Sequence, residues 1–493
     1  MRPPNFLLIG FDLRALVTWD HMEPDLSTLT LHAALQALRR GDFSSLELTQ
    51  ACLRQIERLD PSINAFITLT PELAVQAAMQ ADALHSIHPS NLNDLALLGI
   101  PVALKDLFET EGIRTTAGSR FFTALIPAED AEAVRRLKLA GAVILGKTNT
   151  HEFALGVTGV NPHFGAVKNP WDTSRITGGS SSGSAAAVAV GMCLAALGTD
   201  TGGSIRIPAS LCGVVGLKPT FGRVSTRGVV TLSWNLDHVG ILVRTVQDAA
   251  IMLQVLAGFD PHDSSSADAP IDDYLGKLEN GVGSLRIALG VGEYIEASDP
   301  DVLAAMDTSA RVYKDLGAQV EKVDLSWISE LALANSRMTQ ADAAAFHRER
   351  LGTHPDWFGD DIRQRLEAGA ALSSSEYSLA RRVQSEGRRR FEMFFTKYDL
   401  LLLPSTPIPA PEIAVTGAIE AARQLTRFTS PFNLTGLPAL SIPCGSAGNG
   451  LPLGLQIVTR HWGEAQLFQA GHAFEHATVW HVHQPEMVKK QTG

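Results

Sequence analysis

The chain has 493 residues, 45% hydrophobic and 19% charged, a globular balance that supports a large buried core and excludes a disordered or fibrous chain. Fifty-two acids against 41 bases give a formal net charge of −11, which disfavours a phosphate backbone as the main ligand. The four cysteines, Cys52, Cys193, Cys212 and Cys444, are far apart and lack CxxC spacing, so neither a zinc site nor a disulfide framework is expected, and a reducing cytoplasm fits.

The apolar run at 6–11 is broken by Asp12 and Arg14, so residues 1–22 read as a poorly ordered extension rather than a leader. No run of 18 or more apolar residues is present, and no membrane span is expected. Leu31, Ala34, Leu35 and Leu38, then Leu46, Leu48, Ala51, Cys52, Ile56 and Leu59, fall at helical spacing, with Ser44 and Ser45 as the start signal of the second helix. Residues 64–69 predict a strand and 71–86 an alanine-rich helix. Residues 100–104 predict a short buried strand ending at Lys105. A helix over 133–140, a glycine turn and a strand over 142–145 follow. Residues 178–220 are Gly/Ser-rich loops around one alanine-rich helix, and 286–290 is a strand.

The stretch 298–395 is more polar and mostly helical, a cap-like region over the core. It contains the basic run Arg388-Arg389-Arg390, which reads as a solvated helix face. Strands at 400–403, 439–443 and 453–458 and a helix from Glu464 complete the chain. This alternation predicts an α/β fold: a mixed, largely parallel twisted central sheet covered by helices on both faces. Residues 23–480 are expected to form a single domain, and 481–493 a tail. No internal repeat is visible.

The densest signal is Thr177-Gly178-Gly179-Ser180-Ser181-Ser182-Gly183-Ser184, followed by Gly198-Thr199-Asp200-Thr201-Gly202-Gly203-Ser204-Ile205-Arg206-Ile207-Pro208. A linker of this composition in mid-core would cost ordering entropy without gain. Phosphate-loop spacing occurs at Gly141 to Thr148, but the residues between its glycines are a β-branched apolar strand unable to wrap phosphates. Gly179 to Gly183 meets the nucleophile-elbow pattern, yet the polar segment 172–177 stands where a strand should precede it. None of the 15 histidines lies in these motifs. A lysine serves as base when neutral, and Lys105 ends an apolar strand where burial disfavours its charged form. The segment Thr201-Gly202-Gly203-Ser204 can turn several N–H groups toward one point, as an oxyanion hole requires.

Together these motifs resemble the amidase signature family, which includes fatty acid amide hydrolase and the A subunit of glutamyl-tRNA amidotransferase. The lysine context Gly99-Ile100-Pro101-Val102-Ala103-Leu104-Lys105-Asp106 is similar to that family. So are Gly146-Lys147-Thr148-Asn149, residues 213–220, Leu236-Asp237-His238-Val239-Gly240, residues 431–438 and residues 452–456. Thr177 stands where many members carry Pro, and Ser182 where many carry Gly.

The resemblance implies Ser204 as nucleophile, Ser180 as bridging serine after a cis Gly179–Ser180 bond, and Lys105 as base. The N–H groups of Thr201, Gly202, Gly203 and Ser204 are implied as the oxyanion hole. Ser181 and Asp200 are implied supports, and Arg206 is expected as a purely structural ion pair, with ordering of the loop after Ser204 as the alternative. Phe153, Ala154, Leu155, Gly156 and Gly179, with part of residues 335–380, are candidate substrate contacts, and the apolar or small residues 153–156 hint at a hydrophobic or aromatic acyl group.

The implied reaction is cleavage of a carboxylic amide, with aryl amides, carbamates or esters as further substrates. It proceeds through a covalent acyl-enzyme, with no metal or organic cofactor. The expected ligand is a small-molecule amide, with no nucleic acid or membrane partner and a homodimer as the assembly considered. A stand-alone amidase is expected ahead of the glutaminase component of a tRNA amidotransferase, because residues 338–347 lack the Ser-Ser-Asn-Leu-Ala-Arg-Tyr-Asp-Gly stretch of that component. A non-enzymatic scaffold on the same fold is the last alternative.

Overall fold

Buried apolar runs become strands whose order fixes where the motif residues meet. The computed structural model describes residues 26–87, 95–415 and 417–489; the expected N-terminal extension, 1–22, lies outside the described residues. In chain order the strands are β1 (Phe66–Leu69), β2 (Pro101–Lys105), β3 (Val143–Thr148), β4 (Ala195–Asp200), β5 (Val215–Lys218), β6 (His238–Val243), β7 (Arg286–Val291), β8 (Gln319–Asp324), β9 (Leu400–Pro404), β10 (Ala439–Ser446) and β11 (Pro452–Val458). They form one sheet in the order β1-β3-β2-β4-β6-β5-β10-β11-β9-β7-β8.

The sheet is mixed, as expected for this α/β fold, but it is not largely parallel: four pairings are parallel and six antiparallel, because strands such as β10 and β11 are joined by short turns. Parallel pairing is concentrated in two triplets, β3-β2-β4 and β9-β7-β8. The other six pairings are antiparallel. The short connection from Ser446 to Pro452 makes β10 and β11 a hairpin, and hairpins are antiparallel by construction. Strands β2 through β6 are buried along their full length, which is why they read as continuous apolar runs rather than alternations.

The helix Ser182–Ala189 packs against β2, β3, β4 and β6, and the helix Arg206–Cys212 against β5, β10 and β11. Their lengths are short, but both are buried throughout. Ser44 caps the helix Ser45–Ile63 with a reciprocal Glu47 bond, matching the serine signal in the sequence.

Three further details differ from the sequence reading. The stretch 298–395 is not helical throughout: β8 lies inside it at the sheet edge, and its largely exposed residues hide the usual apolar alternation. The helical cap is therefore formed by Ile328–Phe346, Arg348–Thr353, Asp360–Ala370 and Ser374–Lys397. The expected tail carries the helix Glu486–Lys489, with Val488 buried and the Met487 carbonyl accepting from Arg58 at 3.2 Å. Within the basic run, Arg389 pairs with Glu392 in solvent, whereas Arg390 lies over the Trp327 ring at 3.7 Å. All four cysteines are buried thiols. Among the described residues no helix is long and apolar enough to cross a membrane.

Candidate active site

Strand β2 delivers Lys105 to the C-terminal ends of the parallel strands, beside the end of β4, the usual position of a site in an open α/β sheet. Lys105 Nζ lies 2.7 Å from Ser180 Oγ and 2.8 Å from Thr199 Oγ1, fully buried. Burial pushes the amine down to about 7, against the carboxylates of Asp200 and Asp237, which pull it up.

Ser180 follows a cis peptide bond from Gly179, as the resemblance implied. Its carbonyl accepts from Thr150 Oγ1 at 2.8 Å and from the His151 N–H at 3.3 Å. The next residue ties this segment to the loop that carries Ser204: Ser181 N–H donates to the Ser204 carbonyl at 3.1 Å. Ser181 Oγ also donates to the Thr199 carbonyl at 3.2 Å. Lys105 and Ser180 thus meet side chain to side chain although 75 residues separate them, and Ser181 joins this segment to the Ser204 backbone. Among the described residues Ser204 Oγ makes no intramolecular hydrogen bond, and catalytic bonds often close only around substrate.

Asp200 organises the loop that carries Ser204. Its carboxylate accepts from Gly203 N–H at 2.7 Å, Ile205 N–H at 3.1 Å and Asn433 Nδ2 at 2.8 Å. Arg206 reaches it through two nitrogens, at 3.0 and 2.9 Å. Burial raises the Asp200 carboxyl, but Arg206, Lys218 and Asn433 outweigh it and hold the group below the usual carboxylate range. Arg206 is itself fully buried and donates to the Thr429 carbonyl, Gln456 Oε1 and Asn433 Oδ1. The expected ion pair is therefore also the scaffold of the loop.

One of the four expected oxyanion donors is already committed. The Gly203 N–H donates to Asp200, because the turn before Ser204 folds that amide back onto the carboxylate. Among the described residues the N–H groups of Thr201, Gly202 and Ser204 make no hydrogen bond and remain as donors. Gly203 is required here, with φ 136° and an added Cβ 2.2 Å from Thr429 Oγ1.

A cavity of about 800 Å³ opens beside these residues. Thr201, Gly202 and Ser204 line it, with Ala154, Leu155, Gly156 and Val157 on one wall and Asn335, Arg365 and Thr426 contributed from outside the sheet. Ala154, Leu155 and Gly156 thus line the cavity. Phe153 and Gly179 are not on the wall. Phe153 is buried in an aromatic cluster, its ring centroid 4.2 Å from that of His347 and 5.9 Å from Phe358. Gly179 packs against Ser182 and the 157–159 backbone.

Four further residues shape the site: Asp237 and Thr429, to which the sequence assigns no role, and Asn335 and Arg365, which fall within the stretch 335–380 expected to contribute to the pocket. Asp237 Oδ1 accepts from Thr201 Oγ1 at 2.6 Å, Asn335 Nδ2 donates to the Thr201 carbonyl at 3.2 Å, and Thr429 Oγ1 donates to the Gly202 carbonyl at 2.7 Å. Arg365, on the helix Asp360–Ala370, donates to the Ala418 carbonyl, while its Nε is buried without a hydrogen-bond partner among the described residues. The Leu236 to Gly240 motif signals Asp237 by position but not by role. Among the described residues no group of three His, Cys, Asp or Glu side chains converges on a metal position.

Known proteins share this architecture. The family described as Amidase matches residues 47–468. The A subunit of glutamyl-tRNA(Gln) amidotransferase from Geobacter metallireducens is 43% identical over 483 residues, covering 93% of this chain and 99% of the relative. An inhibitor-bound protein from a vestigial complex, related to the evolutionary origins of an s-triazine catabolic enzyme, superposes with TM-score 0.86 at 34% identity, covering 91% of this chain and 98% of that one. A bacterial aryl acylamidase superposes with TM-score 0.86 at 26% identity, over 94% of this chain and 99% of that one.

Proposed function

The chain belongs to the amidase family, whose enzymes hydrolyse or transfer amide groups, and from that premise we propose that it cleaves a carboxylic amide through Ser204, Ser180 and Lys105. The observation that carries this reading is the buried Lys105 amine, 2.7 Å from Ser180 Oγ and held near 7. An amine at its ordinary value near 10.4 would be protonated and useless as a base at neutral pH.

Ser204 Oγ attacks the amide carbon, and the carbonyl π pair moves onto oxygen. The Ser204 proton passes to Ser180 Oγ as the Ser180 proton passes to Lys105 Nζ. The N–H groups of Thr201, Gly202 and Ser204 receive the oxyanion, fixed by the loop before charge develops. Collapse breaks the C–N bond, and the amine leaves with the proton returned through Ser180. Water then attacks the Ser204 ester by the same relay and releases the acid.

The comparisons favour the amidotransferase form of this activity over the stand-alone form, reversing the expected order. The Geobacter amidotransferase relative aligns over 99% of its length at 43% identity, although the stretch at 338–347 lacks the motif expected of such a glutaminase. Arg365 supports the same reading. Arg365 lines the same cavity as Ser204, and its guanidinium is suited to receive the α-carboxylate of a glutamine whose side-chain amide lies at Ser204.

The test is ammonia release from glutamine against release from aryl and aliphatic amides, using the purified chain alone and with any protein that co-purifies. Glutaminase activity that rises with a co-purified partner supports the amidotransferase reading. Fast turnover of neutral amides by the chain alone supports the stand-alone amidase.

A further inference from the structure

The nucleophile loop is clamped at its Thr201 end by a carboxylate outside the Lys105–Ser180–Ser204 set. Asp237 stands at the end of the 230–237 loop, just before β6. Its Oδ1 accepts from Thr201 Oγ1 at 2.6 Å, and its Oδ2 accepts from the N–H groups of Leu232 and Ser233 at 2.9 and 3.0 Å. Thr201 and Leu232 both line the cavity, so one carboxylate joins two of its walls.

The same loop is tied to the cap. Ser233 Oγ donates to Asp342 on the helix Ile328–Phe346 at 2.6 Å, and Asn335 of that helix holds the Thr201 carbonyl. Thr201 is thus held through its side chain by Asp237 and through its carbonyl by the cap, which leaves its N–H turned out as a donor.

We propose that Asp237 is a positioning residue for the reaction: it aims the Thr201 end of the nucleophile loop and electrostatically couples that loop to the amine of Lys105. The proposal rests on the acyl-transfer reading above. It adds a fourth residue whose action runs through Thr201 and Lys105 rather than through substrate.

The charges around this pair are few. Asp237 and Asp200 are the carboxylates that act on Lys105, and Lys105 acts in turn on Asp237. Asp342 lies one residue away through Ser233. The neighbouring His238 turns its Nδ1 to the Leu236 and Asp200 carbonyls. Burial raises the Asp237 carboxyl to about 6, against the Thr201 hydroxyl, the two backbone N–H groups and Lys105. The ionised carboxylate raises the Lys105 value, so removing the charge makes Lys105 easier to deprotonate.

Two variants separate positioning from mere support of the fold. Asp237→Asn keeps the volume and removes the charge; Thr201→Val keeps the charge and removes the bond. With kcat and KM measured from pH 5.5 to 9 on the best amide substrate, both variants are expected to lose roughly 10- to 100-fold in kcat with KM changed less than about threefold. Asp237→Asn is also expected to move the acid limb of kcat/KM down by about half to one pH unit, while Thr201→Val leaves it in place.

An Asp237→Asn protein with wild-type kcat, or with an unmoved acid limb, overturns the proposal. If Asp237→Asn does not fold, Thr201→Val decides: a kcat loss at constant KM supports the proposal, and an unchanged kcat overturns it. Fluorophosphonate labelling of Ser204 in the wild-type enzyme is run alongside. Absence of label there defeats the acyl-transfer reading itself, whereas label with unaffected variants defeats only the role of Asp237.

Discussion

Replacing Asp200 by asparagine removes the charge that the 200–206 loop is built around. Arg206 is fully buried, and two of its nitrogens meet the Asp200 carboxylate. Breaking a buried pair by removing one partner costs about 3–5 kcal/mol, because the other charge stays buried without compensation. Arg206 keeps three other acceptors, the Thr429 carbonyl, Gln456 and Asn433, so the lower end, about 3 kcal/mol, is expected.

The amide also presents a donor NH₂ where the carboxylate accepted from Gly203 or Ile205, so one loop anchor is lost. A fall in the thermal midpoint of roughly 5 °C is expected, large chains shifting by less than about 2–4 °C per kcal/mol. Displacement of the oxyanion donors is expected to lower kcat by about 100-fold.

The sign with pH follows from a carboxyl held below its ordinary value in the folded protein. Its stabilisation is fully present above the unfolded value, near 3.9, and is lost only as pH falls through the lower folded value. The wild type should therefore exceed Asp200→Asn in stability by a constant margin from pH 5 to 8. The assay is differential scanning fluorimetry at several pH values together with steady-state kinetics. A variant melting within about 1 °C of wild type with kcat within about threefold refutes the reasoning that Asp200 holds the loop.

Two further outcomes follow from the site. The pH profile of kcat/KM should rise about tenfold per unit below pH 7 and level off above 8, because Lys105 is half neutral near 7; a profile flat from pH 5 to 9 would contradict a lysine base. Arg365→Gln should raise KM about 10- to 100-fold for amides that carry a carboxylate and leave neutral amides nearly unchanged; equal effects on both classes would remove Arg365 from substrate recognition.

Where chemistry depends on local residue order, the chain is legible. The serine-glycine segments, the strand that ends at Lys105 and the capping serine before Glu47 all carry short-range patterns, and each takes its expected place. Pairing through space is what the residue order does not carry. Asp237, Asn335, Thr429 and Arg365 come from four separate segments and meet the 201–204 loop or its cavity only after folding. Strand β8 escapes because an exposed edge strand needs no alternating apolar face. Phe153 has the sequence neighbourhood of a pocket residue, yet its φ of 49° and the aromatic groups around it turn the ring into the core. The Gly203 amide shows the same limit, since the glycine predicts a tight turn but not which group its N–H will meet.

The most direct measurement is mass spectrometry of the intact enzyme and its peptides after a brief reaction with a slow-turnover amide or a fluorophosphonate, in wild type and in Lys105→Ala. Acyl transfer through Ser204 predicts an adduct on the peptide containing Ser204 in the wild type and its loss or strong slowing in Lys105→Ala. An adduct on another residue, or equal labelling of Ser204 without the lysine, would contradict acyl transfer driven by a lysine base.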